Sequence, residues 1–232
     1  MKRQLYGMVL ATPFWASVAW AAAPVQTIDS MAQRMAACMA CHGAEGRAGA
    51  EGYLPRIAGK PEGYLYKQLV NFRQGRRVNP AMRRMVEHLP DAYLKEIAAY
   101  FASQHLPYPA PQKATVAAAQ LEQGRRIVMQ GDTSRKIAAC ISCHGQKLTG
   151  VAPAIPGLLG LPKDYVTQQL SAWRQGTRRA VAPDCMAHVA NGLSPSDVVS
   201  VSAWLSTRPI AGAYKPATVL AEPLPLACGG IE

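Results

Sequence analysis

The chain is short of acid, with 14 Asp and Glu against 25 Lys and Arg, which leaves a formal charge of +11. Aromatic residues are also few, at 7%, and they are not interleaved with the basic residues along any one element, so the charge does not read as a nucleic-acid surface. An acidic protein face or an anionic membrane surface suits it better, and encounter with either would be fastest at low salt. No segment alternates apolar and polar residues over the length of a strand, so no sheet is expected. Beyond residue 22 no apolar run is long enough to span a bilayer, which excludes a polytopic membrane protein. Cysteine is scarce as well: there are six, and four of them fall in two tight groups.

The first 23 residues read as a secretory signal. Lys2 and Arg3 precede an apolar stretch from Leu5 to Ala22, and Ala21-Ala22-Ala23 has the small residues of a cleavage site. Pro13 interrupts the stretch, which is barely of spanning length, so an uncleaved anchor is the alternative. Loss of Lys2 and Arg3 lowers the formal charge by two, to +9. The expected compartment is the periplasm.

The two cysteine groups are Cys38-Met39-Ala40-Cys41-His42 and Cys140-Ile141-Ser142-Cys143-His144. Cys-x-x-Cys-His is the attachment signature of a c-type haem: two thiols three positions apart each add to one vinyl group of a porphyrin, and the adjacent histidine lies under the iron. Cys-x-x-Cys alone also serves zinc sites and redox disulfides. Two copies, each followed by histidine, in an exported chain point to two covalently bound haem c groups on Cys38, Cys41, Cys140 and Cys143, with His42 and His144 as iron ligands.

An offset of about 101 residues superimposes far more than these motifs. Tyr64, Gln68-Leu69, Phe72-Arg73-Gln74-Gly75 return as Tyr165, Gln169-Leu170, Trp173-Arg174-Gln175-Gly176, and Pro55 and Gly59 return as Pro156 and Gly160. The expected organisation is a domain over 24–106, a proline-rich linker over 107–115, a second domain over 116–208 and a proline-rich extension over 209–232.

Each half reads as helical. Ser30 is the expected N-cap of a helix running into Cys38, and Thr115 that of a helix over Val116–Gln130. Tyr64, Leu65, Gln68, Leu69 and Phe72 share a helix face that ends at Gly75. Asp91–Gln104 forms a further helix, and its counterpart starts at the cap Ser194-Pro195-Ser196-Asp197 and runs through Trp204. A buried haem would supply apolar area that such small domains otherwise lack.

A six-coordinate haem needs a second axial ligand, methionine or histidine. In the second half the methionines are Met129, before the motif, and Met186, in an expected irregular stretch after Gly176. Met186 lies seven residues before Leu193, and seven before the matching Leu89 is Met82, which therefore ranks ahead of Met85. Met85 is otherwise a packing residue. His88 and His188 offer a bis-histidine alternative, but from unequal places in the repeat. His42 and His144 also need acceptors for their other ring nitrogen. Pro55 and Pro156 are candidates to supply a carbonyl, or they simply shape a turn.

Together these features, from the Cys-x-x-Cys-His helix through Leu54-Pro55-Arg56-Ile57-Ala58-Gly59 and the Tyr64 helix to a methionine and a closing helix, resemble class I cytochromes c. The tandem arrangement after a signal is similar to the cytochrome c4 family of periplasmic dihaem electron carriers. The resemblance implies an all-α fold of two tandem class I cytochrome c-like haem domains facing each other through their propionate edges. It also implies His42 with Met82 and His144 with Met186 as axial pairs, with Pro55 and Pro156 as acceptors for the histidines. Electrons would pass from the respiratory chain to a terminal oxidase.

The extension to Glu232 departs from that pattern and brings Cys228 in addition to Cys185. In an oxidising compartment two remaining cysteines suggest a Cys185–Cys228 disulfide. Two free thiols, or Cys185 as an iron ligand in place of Met186, are the alternatives, the last of which would lower the potential.

With both axial places filled, iron has no room for a substrate, so the expected function is electron transfer without catalysis. Redox proteins with acidic docking faces, such as a membrane terminal oxidase or a quinol-oxidising complex, are the expected partners, with peripheral membrane association as the alternative contact and no nucleic acid. Arg73, Arg76, Arg77, Arg174, Arg178 and Arg179 either hold propionates, form the docking face or are simply solvated. The alternative function is a dihaem redox enzyme or enzyme subunit, such as a thiosulfate dehydrogenase-like protein or its electron-accepting partner, with a replaceable ligand at the second haem.

Overall fold

The computed structural model describes residues 29–48, 53–210 and 215–231. The expected signal over 1–23 lies outside them. Among the described residues the regular elements are helices apart from one hairpin of two-residue strands. In the first half α1 (Met31–Arg34) and α2 (Ala36–His42) are followed by α3 (Glu62–Arg73), α4 (Pro80–Val86) and α5 (Asp91–Ala102). The second half contains α6 (Ala118–Gln130), α7 (Cys140–His144), α8 (Lys163–Arg174), α9 (Cys185–Gly192) and α10 (Pro195–Ser206), with the hairpin β1 (Gly150–Val151) and β2 (Ile155–Pro156) between α7 and α8. The hairpin pairs antiparallel, Gly150 with Pro156 and Val151 with Ile155. Two residues per strand are too few to leave an alternating pattern in the sequence, which is why no strand was expected.

Local signals place most helix ends. Ser30 and Gln33 form a capping box at α1, and Ser194 and Asp197 form another at α10, where Pro195 opens the helix. Gly75 and Gly176 follow the C-caps of α3 and α8 at φ +72° and +70°, a region glycine enters without steric cost. Thr115 is not the cap of α6: Ala117 occupies that position with no side-chain bond. The Thr115 hydroxyl instead accepts from Lys163 Nζ at 2.9 Å. The expected first helix of the first half is broken at Met35, whose fully buried side chain anchors the break in the core.

Each half has its own core. The first packs Met35, Leu65, Phe72, Leu94, Ile97 and Phe101 among others, and the second packs Ile127, Val128, Leu170, Val201, Trp204 and Leu205. In the second, α6 lies close on α10 because Gly124 has no side chain; a Cβ there would come within 2.1 Å of Ser200 O. The corresponding junction in the first half joins α1 to α5, with Met35 buried beside it. Among the described residues no helix is long and apolar enough to cross a membrane.

The halves meet along a seam with approximate twofold correspondence. Arg77 and Arg178 face each other in an antiparallel bridge, flanked by Val78 N–H donating to Thr177 O at 2.8 Å and Arg179 N–H donating to Arg76 O at 2.7 Å. The linker is fixed by Arg56, whose guanidinium donates to Leu106 O at 2.6 Å and Pro107 O at 2.9 Å.

Candidate haem sites

Two cysteines and a histidine occupy one short helix in each half. In α2 and α7 the cysteines are a turn apart, near enough to serve one ring, and all four thiols are free. His42 and His144 end these helices, and the next residues, Gly43 and Gly145, turn the chain away at φ +73° and +83°. The returning chain then brings a carbonyl to each imidazole: Nδ1 of His42 lies 3.0 Å from Pro55 O, and Nδ1 of His144 lies 2.7 Å from Pro156 O. A carbonyl only accepts, so each Nδ1 carries the proton and each Nε2 is left with its lone pair free to bind a metal. Burial pushes both imidazoles below the usual histidine range, with the proline carbonyls opposing it, and the neutral form is the one a metal requires. Burial likewise pushes the Cys140 thiol up to about 12.

The methionines divide by environment. Met82 is half-buried and packs on the first core, while Met85, three residues on, is 46% exposed. Met186 is half-buried against the second core. Neither Met82 nor Met186 lies in a loop. Asn79 accepts from Met82 N–H and caps α4, and Asp184 accepts from Ala187 N–H and caps α9, so the expected irregular stretch around Met186 is a short capped helix. The His88 side chain is 90% exposed, and His188 is exposed on α9. Cys185 and Cys228 are joined, with sulfurs 1.95 Å apart, so Cys185 has no thiolate to offer a metal in this state.

At the seam the charge is one-sided. Arg77 donates to Gln68 Oε1, Tyr165 OH and Gln169 Oε1 at 2.9, 2.9 and 2.7 Å; Arg178 donates to Gln169, Gln68 and Tyr64 OH at 2.9, 3.1 and 3.3 Å. Both guanidinium groups are buried, as is Lys60, which crosses the seam to donate to Gly157 O at 2.6 Å. Burial, followed by the nearby Arg56 charge, pulls Lys60 down to about 7. None of the three has a carboxylate partner among the described residues. Trp173, over whose ring Arg178 lies at 3.8 Å, has a buried Nε1–H with no acceptor. Buried cations and a buried donor without an anion are costly. Haem propionates are anions of the required kind, so the residues present fit two haem groups. The repetition of Arg77 as Arg178, with Tyr64 as Tyr165 and Gln68 as Gln169, is the trace of this seam in the sequence; Lys60 and the tail's path leave none.

A family described as cytochrome C oxidase, cbb3-type, subunit III matches residues 26–101. A thiosulfate dehydrogenase electron acceptor from Thiomonas intermedia is 36% identical over 212 residues, covering 90% of this chain and 93% of that protein. Cytochrome c4 from Pseudomonas aeruginosa is 34% identical over 174 residues, 74% of this chain and 84% of its own length. The crystal structure of reduced recombinant cytochrome c4 from Pseudomonas stutzeri superimposes with a TM-score of 0.66 at 30% identity, over 76% of this chain and 95% of that one. The two halves are therefore class I cytochrome c domains, each with a covalently bound haem c, and the chain belongs to the cytochrome c4 family of dihaem electron-transfer cytochromes.

Proposed function

We propose that the chain is a periplasmic electron carrier whose first haem is held by Cys38, Cys41, His42 and Met82 and whose second is held by Cys140, Cys143, His144 and Met186. On this reading the domains span 24–106 and 116–208, joined by the 107–115 linker, after a signal removed at residue 23. Each haem supplies an iron that gains and loses one electron. The chain's own residues orient that iron's ligands, keep water from it and compensate its carboxylates. Pro55 and Pro156 fix the histidine tautomer, which raises the basicity of the ligating nitrogen. Of the repeated arginines, Arg77 and Arg178 are the pair suited to the propionates, because they are buried at the seam; Arg174 and Arg179 are exposed, and the half-buried Arg76 donates to Asn71 Oδ1. The observation that carries the reading is the doubled histidine–carbonyl pair. A six-coordinate low-spin spectrum with a methionine-to-iron charge-transfer band in the oxidised protein is expected. A high-spin component would overturn the carrier reading.

A specific donor is favoured by the 36% identity to proteins named thiosulfate dehydrogenase electron acceptor. This reading makes a sulfur-compound dehydrogenase the donor and a respiratory terminal oxidase or a further redox enzyme the acceptor. The oxidised protein should be reduced by thiosulfate only when a thiosulfate dehydrogenase is added. Reduction by thiosulfate alone would make the chain itself the enzyme.

A further inference from the structure

The helices that carry the two methionines present opposite surfaces. On α4 the residues Ala81, Arg84 and Met85 share one face at helical spacing, and all are exposed, as is His88 just past the helix end. Arg83 is also exposed and pairs only loosely, at 3.9 Å, with Glu87. Val78, 61% exposed, adjoins the start of the helix. From 76 to 88 four arginines stand against the single acid Glu87; Arg77 is buried, and Arg83 and Arg84 are exposed. The matching stretch of the second half, 177 to 189, has Arg178 and Arg179 against Asp184, and Arg178 is buried. Its surface is also occupied: Cys185, the first residue of α9, is bonded to Cys228, and Gly229 N–H donates to Pro183 O at 3.0 Å. The tail thus lies on the loop and first turn at which a partner would meet Met186.

We propose that the α4 surface of the first domain, with Met85 and Val78 as its apolar centre and Arg83 and Arg84 as its cationic rim, is the docking site for an acidic redox protein. Methionine and arginine are enriched at protein interfaces, and such a centre ringed by charge is their usual composition. Charge complementarity names the occupant: the surface excess is positive, so the partner's face is acidic. The choice of domain follows from access, since α4 is bare where α9 is covered. A partner seated there lies against the helix that bears Met82, so electrons would enter or leave through the first haem. This rests on the carrier reading.

The test is the rate of electron transfer between the full haem-loaded protein and plastocyanin, an acidic copper protein used as the probe. Arg83→Glu/Arg84→Glu is compared with Arg174→Glu, a reversal at an exposed position on α8 of the second domain. At about 10 mM ionic strength, where charges act over about 30 Å, the double reversal should slow transfer at least about tenfold and the control less than about twofold. At about 1 M the variants should converge. Equal slowing by both reversals, no slowing by either, or no transfer to plastocyanin from the unsubstituted protein would overturn the docking site. Failure of the carrier reading is distinguishable, because the unsubstituted protein would then not exchange electrons with hexacyanoferrate either.

Discussion

The two domains build their histidine sites by the same device and support them differently. In each, a short helix ends in histidine, a glycine turns the chain and a proline carbonyl returns to Nδ1. Around that device the first domain is loosely built. Its leading helix is broken at Met35, α5 starts without a side-chain cap, and α4 lies bare. The second has an unbroken α6 set close on α10, a capping box at α10 and a disulfide at the start of α9. A duplicated chain can therefore keep its ligands in register while the stability and access of its two sites diverge.

The sharpest way to break the correspondence is to remove the methionines singly. In Met82→Ala the charge-transfer band of the oxidised protein should fall by about half, with the other half surviving. Met186→Ala should do the same to the other haem. An unchanged spectrum in the first would mean the register is wrong and that Met85 is the ligand. Absorption spectra and a potentiometric titration of each variant measure this.

How much of this was legible depends on what set each feature. The paired cysteine–histidine helices and the helix faces around Leu65 and Leu170 follow from spacing and repetition, which are local. The break at Met35 does not, because the burial of one side chain in a tertiary core decides it. The helix holding Met186 starts at Asp184, whose carboxylate serves both Ala180 and Ala187 N–H, and that pairing depends on how the preceding loop folds back. The Thr115 hydroxyl was drawn off by Lys163, 48 residues away. The tail's reach to the first domain, where Lys67 donates to Gly230 O at 3.1 Å, has no signature in a proline-rich segment.

The next contrasts concern stability, and the chain offers a reporter for them. After the first 23 residues its tryptophans are Trp173 and Trp204, both in the second domain, so their fluorescence in urea follows that domain alone. Replacing Cys185 and Cys228 with alanine opens a link between positions 43 residues apart, which should cost the second domain about 3 kcal/mol. Gly124→Ala forces a methyl against the Ser200 carbonyl and should cost about 2 kcal/mol at the α6–α10 contact. Both should leave the first domain's unfolding, followed by its haem absorbance, where it was. A parallel shift of both domains would show that the seam makes them one cooperative unit.

The smallest effect tests the side-chain cap that the closing helix α10 has and α5 lacks. Burial alone would raise the Asp197 carboxyl, but Arg135 at 2.5 Å and the Ser194 N–H and hydroxyl at 2.9 and 2.8 Å outweigh it and hold it at about 2 rather than the usual 3.8. A carboxyl depressed on folding stabilises the folded state above its unfolded pKa, and that contribution is lost as pH falls through the folded value. Asp197→Asn should therefore cost about 1 to 2 kcal/mol near neutral pH. The gap between variant and parent should close from about pH 4 down to about pH 2, as read from urea midpoints of tryptophan fluorescence. In the first domain the acid in the first turn of the closing helix is Asp91, the first residue of α5, and its side chain is 60% exposed beside Arg73. Solvent screening should hold the effect of Asp91→Asn below about 1 kcal/mol, and an effect as large as that of Asp197→Asn would mean that the cap does not separate the two domains.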